Sequence, residues 1–403
     1  MLEAMKRTLE KVKDISGLMT GDELALLCRF ARSASSIAEL GCFKGKSLAA
    51  MGITNPKAKL YGIDWFGDMS HRGYKGSTLE ETTANLKKAG VHAEFFVGTT
   101  DEMASKFDKK IDLLNIDAGH SFEECWNDIQ NYVPKITPGG AVCIHDYGKA
   151  RCSKLDRPEV QEAVDKWRND NWIEVERAGT MIAFRNVIAD AGILYVAFGE
   201  KAILNVENSI QTVKKFAPTL PIAVVSDKQV KGADHIIFHV DIDAGARSAK
   251  TRMYSLSPFR KTLFLDADTE MKSDPMHGFG LLDHVDMVIA QDPVRIFRDN
   301  TWPALVQAEV EETIRETKGG EFLYYNSGVI FFRRSAANKG LFQAWNQEWT
   351  RWGRQDQPAL FRAMYKHPVR IAPMRAPWNT HQKSQAQFIY HAHRRASREG
   401  APK

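Results

Sequence analysis

The stretch Ile37-Ala38-Glu39-Leu40-Gly41-Cys42-Phe43-Lys44-Gly45-Lys46-Ser47 decides the fold of the first half of the chain. It predicts a short buried strand, a glycine turn and the start of a helix. Gly41 allows the tight turn, and Gly45 allows a ligand to approach the helix N-terminus closely. A turn of this kind also forms for purely structural reasons, so the glycines alone leave both roles open.

The next predicted strand ends in an acid, in the segment Leu60-Tyr61-Gly62-Ile63-Asp64. The tip of the second strand is where a doubly wound fold holds ribose hydroxyls. The turn at Gly41–Gly45 lacks a complete G-x-G-x-x-G. The sequence therefore favours an adenosyl ligand other than a nicotinamide cofactor.

Outward from this stretch, apolar runs alternate with helical spans in two successive series, which indicates α/β domains. The break near Val187–Ala191 predicts two domains, residues 1–187 and residues 188–403. The predicted strands are Ile37–Leu40, Leu60–Ile63, Ala93–Val97, Ile111–Ile116, Ala141–Ile144 and Met181–Phe184 in the first series, and Ile193–Phe198, Ile222–Val225, His235–Val240, Thr262–Leu265, Met287–Ala290 and Ser327–Phe332 in the second.

The composition is that of an ordinary globular protein. The chain has 403 residues, of which 43% are hydrophobic and 26% charged, and its net charge is +5. This small basic excess argues mildly against a nucleic-acid partner without excluding one. No stretch has the roughly 18 apolar residues of a transmembrane helix. Five cysteines without a C-x-x-C argue against a disulfide framework, and a cytoplasmic location is expected.

Two later segments of the first half extend the pattern. They are I-D-L-L-N-I-D-A-G-H-S-F-E-E-C-W-N-D-I at 111–129 and T-P-G-G-A-V-C-I-H-D-Y at 137–147. With the glycine turn and Asp64, they resemble class I S-adenosylmethionine-dependent methyltransferases, in the branch that acts on small-molecule oxygens. The resemblance covers nearly all of residues 18–186 and implies a Rossmann-like fold. It also implies that Glu39, Gly41, Gly45, Asp64 and Thr99 form the S-adenosylmethionine site.

The same resemblance assigns chemistry to three residues. Asp117 and Asp146 end neighbouring predicted strands, so both carboxylates can face one crevice and hold Mg²⁺. His120 would take the proton of a substrate hydroxyl, because an imidazole suits proton transfer near neutral pH. Asp117 as a helix cap, and His120 as a partner of Asp128 or of a loop backbone, are the structural alternatives. Metal-dependent relatives often have paired acids where this chain has His145-Asp146.

In the second half, an apolar strand ends in Asp266-Ala267-Asp268. Two carboxylates separated by one residue at a strand end can share a divalent cation, which stabilises a diphosphate leaving group. Further polar segments accompany this D-x-D. They are Ser226-Asp227 after a strand, Tyr325-Asn326-Ser327-Gly328-Val329-Ile330 before one, Asp356-Gln357-Pro358-Ala359-Leu360 at a helix start, and the late pair His391 and His393.

Together, these segments resemble GT-A-fold nucleotide-diphospho-sugar transferases related to glycosyltransferase family 8, over about residues 194–393. The resemblance implies Mn²⁺ or Mg²⁺ on Asp266 and Asp268, with His391 as third ligand and His393 as its alternative. His391 could also be a plain residue of the C-terminal tail. Lys250 and Arg252 could also be ordinary surface charges. By the resemblance, the tip of the strand Leu194–Gly199 would meet the nucleotide base, and Asp227 would be a further residue that binds the nucleotide sugar. The diphosphate contacts would be Lys250 and Arg252, and the sugar and acceptor contacts Asn326, Asp356 and Gln357.

Three functions follow as hypotheses. The first is a bifunctional transferase that glycosylates and methylates one glycan or small-molecule acceptor. The second is a glycosyltransferase whose first half is a non-catalytic binding module, since fold alone does not decide activity. The third is a modifier of nucleic-acid bases. Affinity for S-adenosylmethionine separates the first two, and DNA binding across a range of salt concentrations tests the third.

Overall fold

The computed structural model describes residues 2–67, 76–149, 156–239, 245–299 and 306–392. The chain divides into two compact units, Met1–Ile188 with Phe238–Val240, and Ala189–Ile237 with Asp241–Lys403. Both units are mixed α/β, each with a seven-stranded sheet, so the predicted fold class is confirmed.

The first unit is a seven-stranded sheet in the order β3-β2-β1-β4-β5-β7-β6. Strands β1 to β5 are parallel, and β7 runs antiparallel to both of its neighbours. The strands are β1 Ser36–Leu40, β2 Lys59–Asp64, β3 Glu94–Val97, β4 Ile111–Ile116, β5 Ile136–Ile144, β6 Trp172–Ala178 and β7 Met181–Asn186.

Helices surround this sheet, and capping residues define where several of them begin. The side chains of Thr20, Thr99 and Ser121 each accept a hydrogen bond from the amide three residues on. The backbone amide of each capping residue in turn donates to the glutamate carboxylate at that position. The helices are α1 Leu2–Val12, α2 Gly21–Ala31, α3 Lys46–Thr54, α4 Leu79–Lys88, α5 Thr100–Ala104, α6 Phe122–Tyr132 and α7 Pro158–Trp167. Two hydrophobic clusters lie among these elements.

The second unit has a seven-stranded sheet in the order β10-β9-β8-β11-β14-β13-β15 and a small sheet β12-β17-β16. Strands β8, β9 and β11 are parallel, whereas β14 runs antiparallel to β11 and β13. The strands are β8 Ala189–Ala197, β9 Ile222–Ser226, β10 His235–Phe238, β11 Phe259–Leu265, β12 Thr269–Met271, β13 Met287–Ile296, β14 Leu323–Arg333, β15 Ile371–Met374, β16 Asn379–Thr380 and β17 Ile389–His391.

The helices of this unit cover a core that includes strands β8, β9, β11 and β14. They are α8 Glu200–Phe216, α9 Gly245–Lys250, α10 Met253–Leu256, α11 Met276–Leu281, α12 Gln307–Glu316, α13 Ala336–Trp352 and α14 Asp356–Lys366. The fully buried Trp345 on α13 donates its indole N–H to the Asp356 carbonyl at 2.7 Å. This bond fixes the start of α14, which carries two of the candidate site residues.

Candidate active sites

The turn after β1 is shaped by two glycines with positive φ. Gly41 has φ +80°, and a Cβ there would lie 2.0 Å from the Asp117 carbonyl oxygen. Gly45 has φ +82°, precedes α3, and its Cβ would lie 2.6 Å from the Leu86 side chain. Gly41 therefore requires glycine, because the atom that its Cβ would meet belongs to the backbone. At Gly45 the positive φ favours glycine, and the Leu86 side chain would have to shift for any other residue.

Asp64 ends β2 beside this turn and ties two loops together. Its carboxylate accepts the backbone amides of Phe43 and Phe66, each at 2.8 Å. Burial raises the pKa of Asp64, although these backbone hydrogen bonds oppose the rise. Phe43 and Phe66 have φ of 47° and 49°, which non-glycine residues seldom adopt. Asp64 therefore holds the two loops that carry Phe43 and Phe66.

Glu39 and Thr99 are the other two predicted contacts of the cofactor in the first unit. Glu39 on β1 is fully buried and accepts a hydrogen bond from Asn115 at 2.8 Å. Burial raises its pKa to about 8. Thr99 is exposed and caps α5, directly after Gly98, whose amide donates to the Asp64 carbonyl. Their cofactor contacts stay predictions.

The predicted chemical group of the first unit comes together in space. Among the described residues, the ligand atoms of Asp117, His120 and Asp146 all lie within 4.8 Å of one another. His120 Nε2 lies 2.9 Å from the Asp146 carboxylate. His120 therefore pairs with Asp146 and not with Asp128. Asp117 is no helix cap, because Ser121 caps α6.

Sequence reasoning missed how closely His145 joins this group. The buried His145 places Nδ1 3.1 Å from Asp117 and 3.4 Å from Asp146, and Nε2 3.4 Å from Glu23. Burial alone would lower the pKa of His145, but the three carboxylates outweigh it and raise the pKa well above its usual range. The His-Asp dipeptide at the end of β5 was the available signal. Glu23, far away in sequence, gave none.

In the second unit, β11 and β17 bring the D-x-D and His391 together. His391 Nε2 lies 3.1 Å from the Asp268 carboxylate and 3.7 Å from that of Asp266. The pairing of Thr269 with His391 between β12 and β17 fixes this approach. His391 is buried, so its description as a plain tail residue is wrong. His393 lies outside the described residues.

Lys250 connects the D-x-D to the start of α14. Its Nζ lies 2.9 Å from Asp266 and 2.8 Å from Asp356, and 3.2 Å from the Ser327 hydroxyl. Ser327 donates its hydroxyl to Asp356 at 2.6 Å. Burial would lower the pKa of Lys250, but the two acids outweigh it and raise that pKa. Burial would raise the pKa of Asp356, but the neighbouring Lys250 outweighs burial and lowers that pKa.

A chain of amides completes this wall of the site. Asn326 accepts bonds from the Gly328 amide at 2.9 Å and from the Asn379 side chain at 3.0 Å. Gln357 donates to Asp292 at 2.8 Å. Asp292 and Asn379 were missed in the sequence, because Asp292 follows a β-bulge in β13 and Asn379 belongs to a two-residue strand.

Gly328 is a further residue of this site, and the sequence did not predict a role for it. A Cβ there would lie 2.4 Å from His391 Cε1 and 2.6 Å from the Asp266 carboxylate. Its carbonyl also accepts the Asp266 amide at 2.8 Å. The missing side chain therefore lets the acid and the histidine converge.

Two predicted contacts lie apart from this group. Asp227 follows β9 and accepts the Gly199 amide at 3.3 Å, at the tip of β8. Arg252 is buried just before α10, where its carbonyl accepts helix amides. The lysine, and not the arginine, reaches Asp266. The roles of Asp227 and Arg252 in nucleotide binding stay predictions.

Two family models match separate stretches of the chain. Residues 38–147 match the methyltransferase domain family, and residues 261–388 match the nucleotide-diphospho-sugar transferase family. The chain joins a methyltransferase domain to a nucleotide-diphospho-sugar transferase domain. This two-domain transferase is an enzyme, as its sequence predicted.

Solved structures similar to the transferase include several methyltransferases. The O-methyltransferase NovP is 18% identical, with 42% of this chain and 83% of that chain covered and a TM-score of 0.33. TomG from Streptomyces achromogenes, solved with SAM, is also 18% identical, with 46% and 89% covered and a TM-score of 0.33. A Podospora anserina methyltransferase, SAH-bound, is 14% identical, with 46% and 87% covered and a TM-score of 0.35.

No curated protein matches the transferase in sequence. Within the described ranges, none of the helices combines the length and apolar character needed to span a membrane. Among the residues that the structure describes, Cys28, Cys42, Cys125 and Cys143 are buried free cysteines.

Proposed function

We propose that the enzyme transfers a sugar from a nucleotide-diphospho-sugar and a methyl group from S-adenosylmethionine to one glycan or small-molecule acceptor. The observation that carries the sugar transfer is the approach of His391 Nε2 to the carboxylates of both Asp266 and Asp268, at 3.7 and 3.1 Å. The fusion would keep the second reaction at a high effective concentration of its substrate.

The second unit has a donor set that suits a divalent cation. Carboxylate oxygens and an imidazole are ligands of Mn²⁺ and Mg²⁺, and Gly328 leaves them room to converge. The bound ion would offset the charge that develops on the diphosphate. Asp266, Asp268 and His391 would hold it. Asn326, Asp356 and Gln357 line the adjoining wall, where they would position the sugar and the acceptor hydroxyl.

The first unit has the features of a methyl-transfer crevice. The turn at Gly41–Gly45 would receive the methionine and ribose parts of the cofactor, with Asp64 beside the ribose and Thr99 towards the adenine. The ring of His120 is held by Asp146 through Nε2, which leaves Nδ1 to take a proton from the acceptor hydroxyl. The group Asp117, His120 and Asp146 would also suit Mg²⁺.

A product screen tests this proposal. The intact enzyme is incubated with Mn²⁺, S-adenosylmethionine, a panel of UDP- and GDP-sugars and a panel of glycans and phenols, and products are found by mass spectrometry. We expect a product heavier by one sugar and one methyl group. Sugar addition alone, together with no S-adenosylmethionine binding by calorimetry, would reject the methyl transfer and retain the glycosyltransferase. No turnover of any donor would reject the sugar transfer.

A further inference from the structure

The first unit contains a cavity at the end of its sheet opposite to the predicted methyl-transfer crevice. The volume of this cavity is about 510 Å³. Ile136, which begins β5, and Trp172, which begins β6, line it, whereas Asp146 follows the other end of β5. At about 3.3 Å per residue, the nine residues of β5 separate the two places by roughly 25 Å. The cavity is therefore distinct from the group of Asp117, His120 and Asp146.

Three tryptophans supply aromatic walls to this cavity. Trp126 lies on α6, Trp167 ends α7 and Trp172 begins β6. Trp126 and Trp172 are half-buried, so each keeps part of its indole surface accessible. Trp167 is buried, and its ring centre lies 5.6 Å from that of Trp172 and 5.3 Å from that of Phe184. The cavity therefore presents flat apolar rings that core contacts hold in place.

Side-chain amides lie in the same lining. They belong to Gln130, Asn169, Asn171 and Asn186. Asn169 shapes the loop before β6, because its Oδ1 accepts the Asn171 amide at 2.9 Å and its Nδ2 donates to the Trp167 carbonyl at 3.0 Å. Gln130 and Asn171 are exposed, so a ligand can reach their side chains. An amide group can both donate and accept hydrogen bonds, which suits it to hydroxyl groups.

The charge of the lining limits the class of ligand. Among the described residues that line the cavity, Lys166 alone is charged. Its ammonium lies 4.9 Å from the centre of the Trp126 ring and 5.0 Å from that of the Phe122 ring, and these two rings stack on each other. A divalent cation prefers carboxylate oxygens, and a diphosphate prefers several cationic side chains, so this lining suits neither.

We propose that the cavity is a carbohydrate-binding site for a neutral glycan, separate from both sites of transfer. A pyranose has an apolar ring face, which suits an indole, and a rim of hydroxyl groups, which suits amides. The volume lies within the range of small-molecule sites. A sugar held here would anchor a glycan-bearing acceptor to the enzyme without itself reacting.

Sugar binding by the intact enzyme tests this inference without S-adenosylmethionine, nucleotide sugar or metal. The probes are cellobiose, maltose, lactose and N,N′-diacetylchitobiose, detected by saturation-transfer NMR and measured by calorimetry. We expect at least one of them to bind. Trp126→Ala should weaken that binding by about tenfold or more, because a ring face is lost. Asn171→Ala should weaken it by about fivefold, because hydrogen bonds to hydroxyl groups are lost.

Two further variants are controls. Gln161 has an amide on α7 but is not among the described residues that line the cavity, so Gln161→Ala should bind sugar as the wild type does. Trp126→Phe keeps an aromatic face and should retain most of the affinity. Near-ultraviolet circular dichroism establishes that each variant is folded. If Trp126→Ala unfolds, Asn171→Ala decides alone, because Asn171 is exposed.

Three results would overturn the inference. They are no binding of any of the four sugars, sugar binding that Asn171→Ala leaves at the wild-type affinity, and binding of a uridine hexanucleotide in place of the sugars. The last result, if the same substitutions weaken it, would assign the rings to nucleobases. None of these results bears on either transfer reaction, which the product screen tests.

Discussion

In each unit a buried basic side chain lies between two acids, but the residues differ. In the first unit, His145 lies between Asp117 and Asp146. In the second, Lys250 lies between Asp266 and Asp356. The histidine meets its acids with one nitrogen and Glu23 with the other, whereas the lysine uses a single ammonium.

The difference lies in how the side chains of each cluster are connected. In the first unit, His120 Nε2 lies 2.9 Å from Asp146, beside the His145 contacts. In the second, His391 lies 3.1 Å from Asp268, and Lys250 lies 2.9 Å from Asp266. A D-x-D or an acid pair in the sequence therefore does not by itself show which basic side chain each carboxylate meets.

Gly41→Ala should strongly lower the unfolding free energy of the first unit and leave that of the second unit unchanged. The added Cβ would lie 2.0 Å from the Asp117 carbonyl oxygen, a backbone atom that cannot move aside, and φ is +80°. We expect a loss of more than about 4 kcal/mol in the unfolding free energy of this unit, the range of severe packing defects. Chemical denaturation followed by domain-specific hydrogen exchange measures it.

The matched control is Gly90→Ala. Gly90 has φ +73° but nothing within 4 Å of a Cβ, so only backbone strain of about 1 kcal/mol is expected. Equal losses in both variants would mean that the contact with Asp117 is unimportant.

Glu39→Gln should stabilise the first unit at alkaline pH. The carboxyl has a pKa of about 8 in the folded state against an ordinary value of 4.5, so its favourable contribution is complete below pH 4.5 and is lost as pH rises through 8. We expect the variant to gain on the order of 3 kcal/mol at pH 8 and nothing at pH 4.5. Urea unfolding at both pH values checks this, and a gain independent of pH would contradict it.

Asp286 should give the second unit the opposite response to pH. The carboxylate is buried and bound by Arg333 and Arg370. Burial opposes, but the two arginines lower its pKa to about 2 from an ordinary 3.8. Its contribution, about 2 kcal/mol, is present above pH 3.8 and is lost as pH falls towards 2.

Acid unfolding of the wild type and of Asp286→Asn measures this effect. The variant should already be less stable at pH 6, and its stability should fall less between pH 4 and pH 2 than that of the wild type. If the unfolding free energies of the two proteins fell in parallel between pH 4 and pH 2, Asp286 would not be the group that causes the loss of stability in acid.

Gly328→Ala should weaken the metal site with a smaller effect on folding. The Cβ would press on His391 and on the Asp266 carboxylate, which are side chains that can give way. We expect Mn²⁺ affinity to fall by about tenfold, as for residues that orient ligands. Gly280→Ala, with nothing within 4 Å, is the control, and equal affinity in both variants would reject the role of Gly328.

The sequence predicted the strands that carry the sites because they are apolar and end in polar residues. Ile111–Ile116 coincides with β4, and the D-x-D follows β11 as expected. It did not predict β6, which carries three charged residues along an edge of the sheet, the four-residue strand β15, or the two- and three-residue strands β12, β16 and β17. Short strands gain their stability from tertiary pairing, which leaves little local pattern.

The candidate sites were predicted as sets of residues, but their internal pairing was not. His145, Asp292 and Asn379 meet partners more than 20 residues away in sequence. Spacing along one chain carries no information on such contacts. The assignment of Lys250 to a diphosphate likewise overlooked its two acids, because no motif connects it to Asp356.

The direct test of the two-domain transferase is Asp268→Asn in the intact enzyme, with sugar transfer and S-adenosylmethionine affinity measured on the same preparation. Asparagine keeps the shape but removes one negative charge from the metal ligands, so metal affinity falls and the diphosphate loses its counter-charge. We expect sugar transfer and donor hydrolysis to be abolished, with unchanged S-adenosylmethionine affinity by calorimetry. Turnover by the variant at the wild-type rate, or full wild-type activity in excess chelator, would contradict the account.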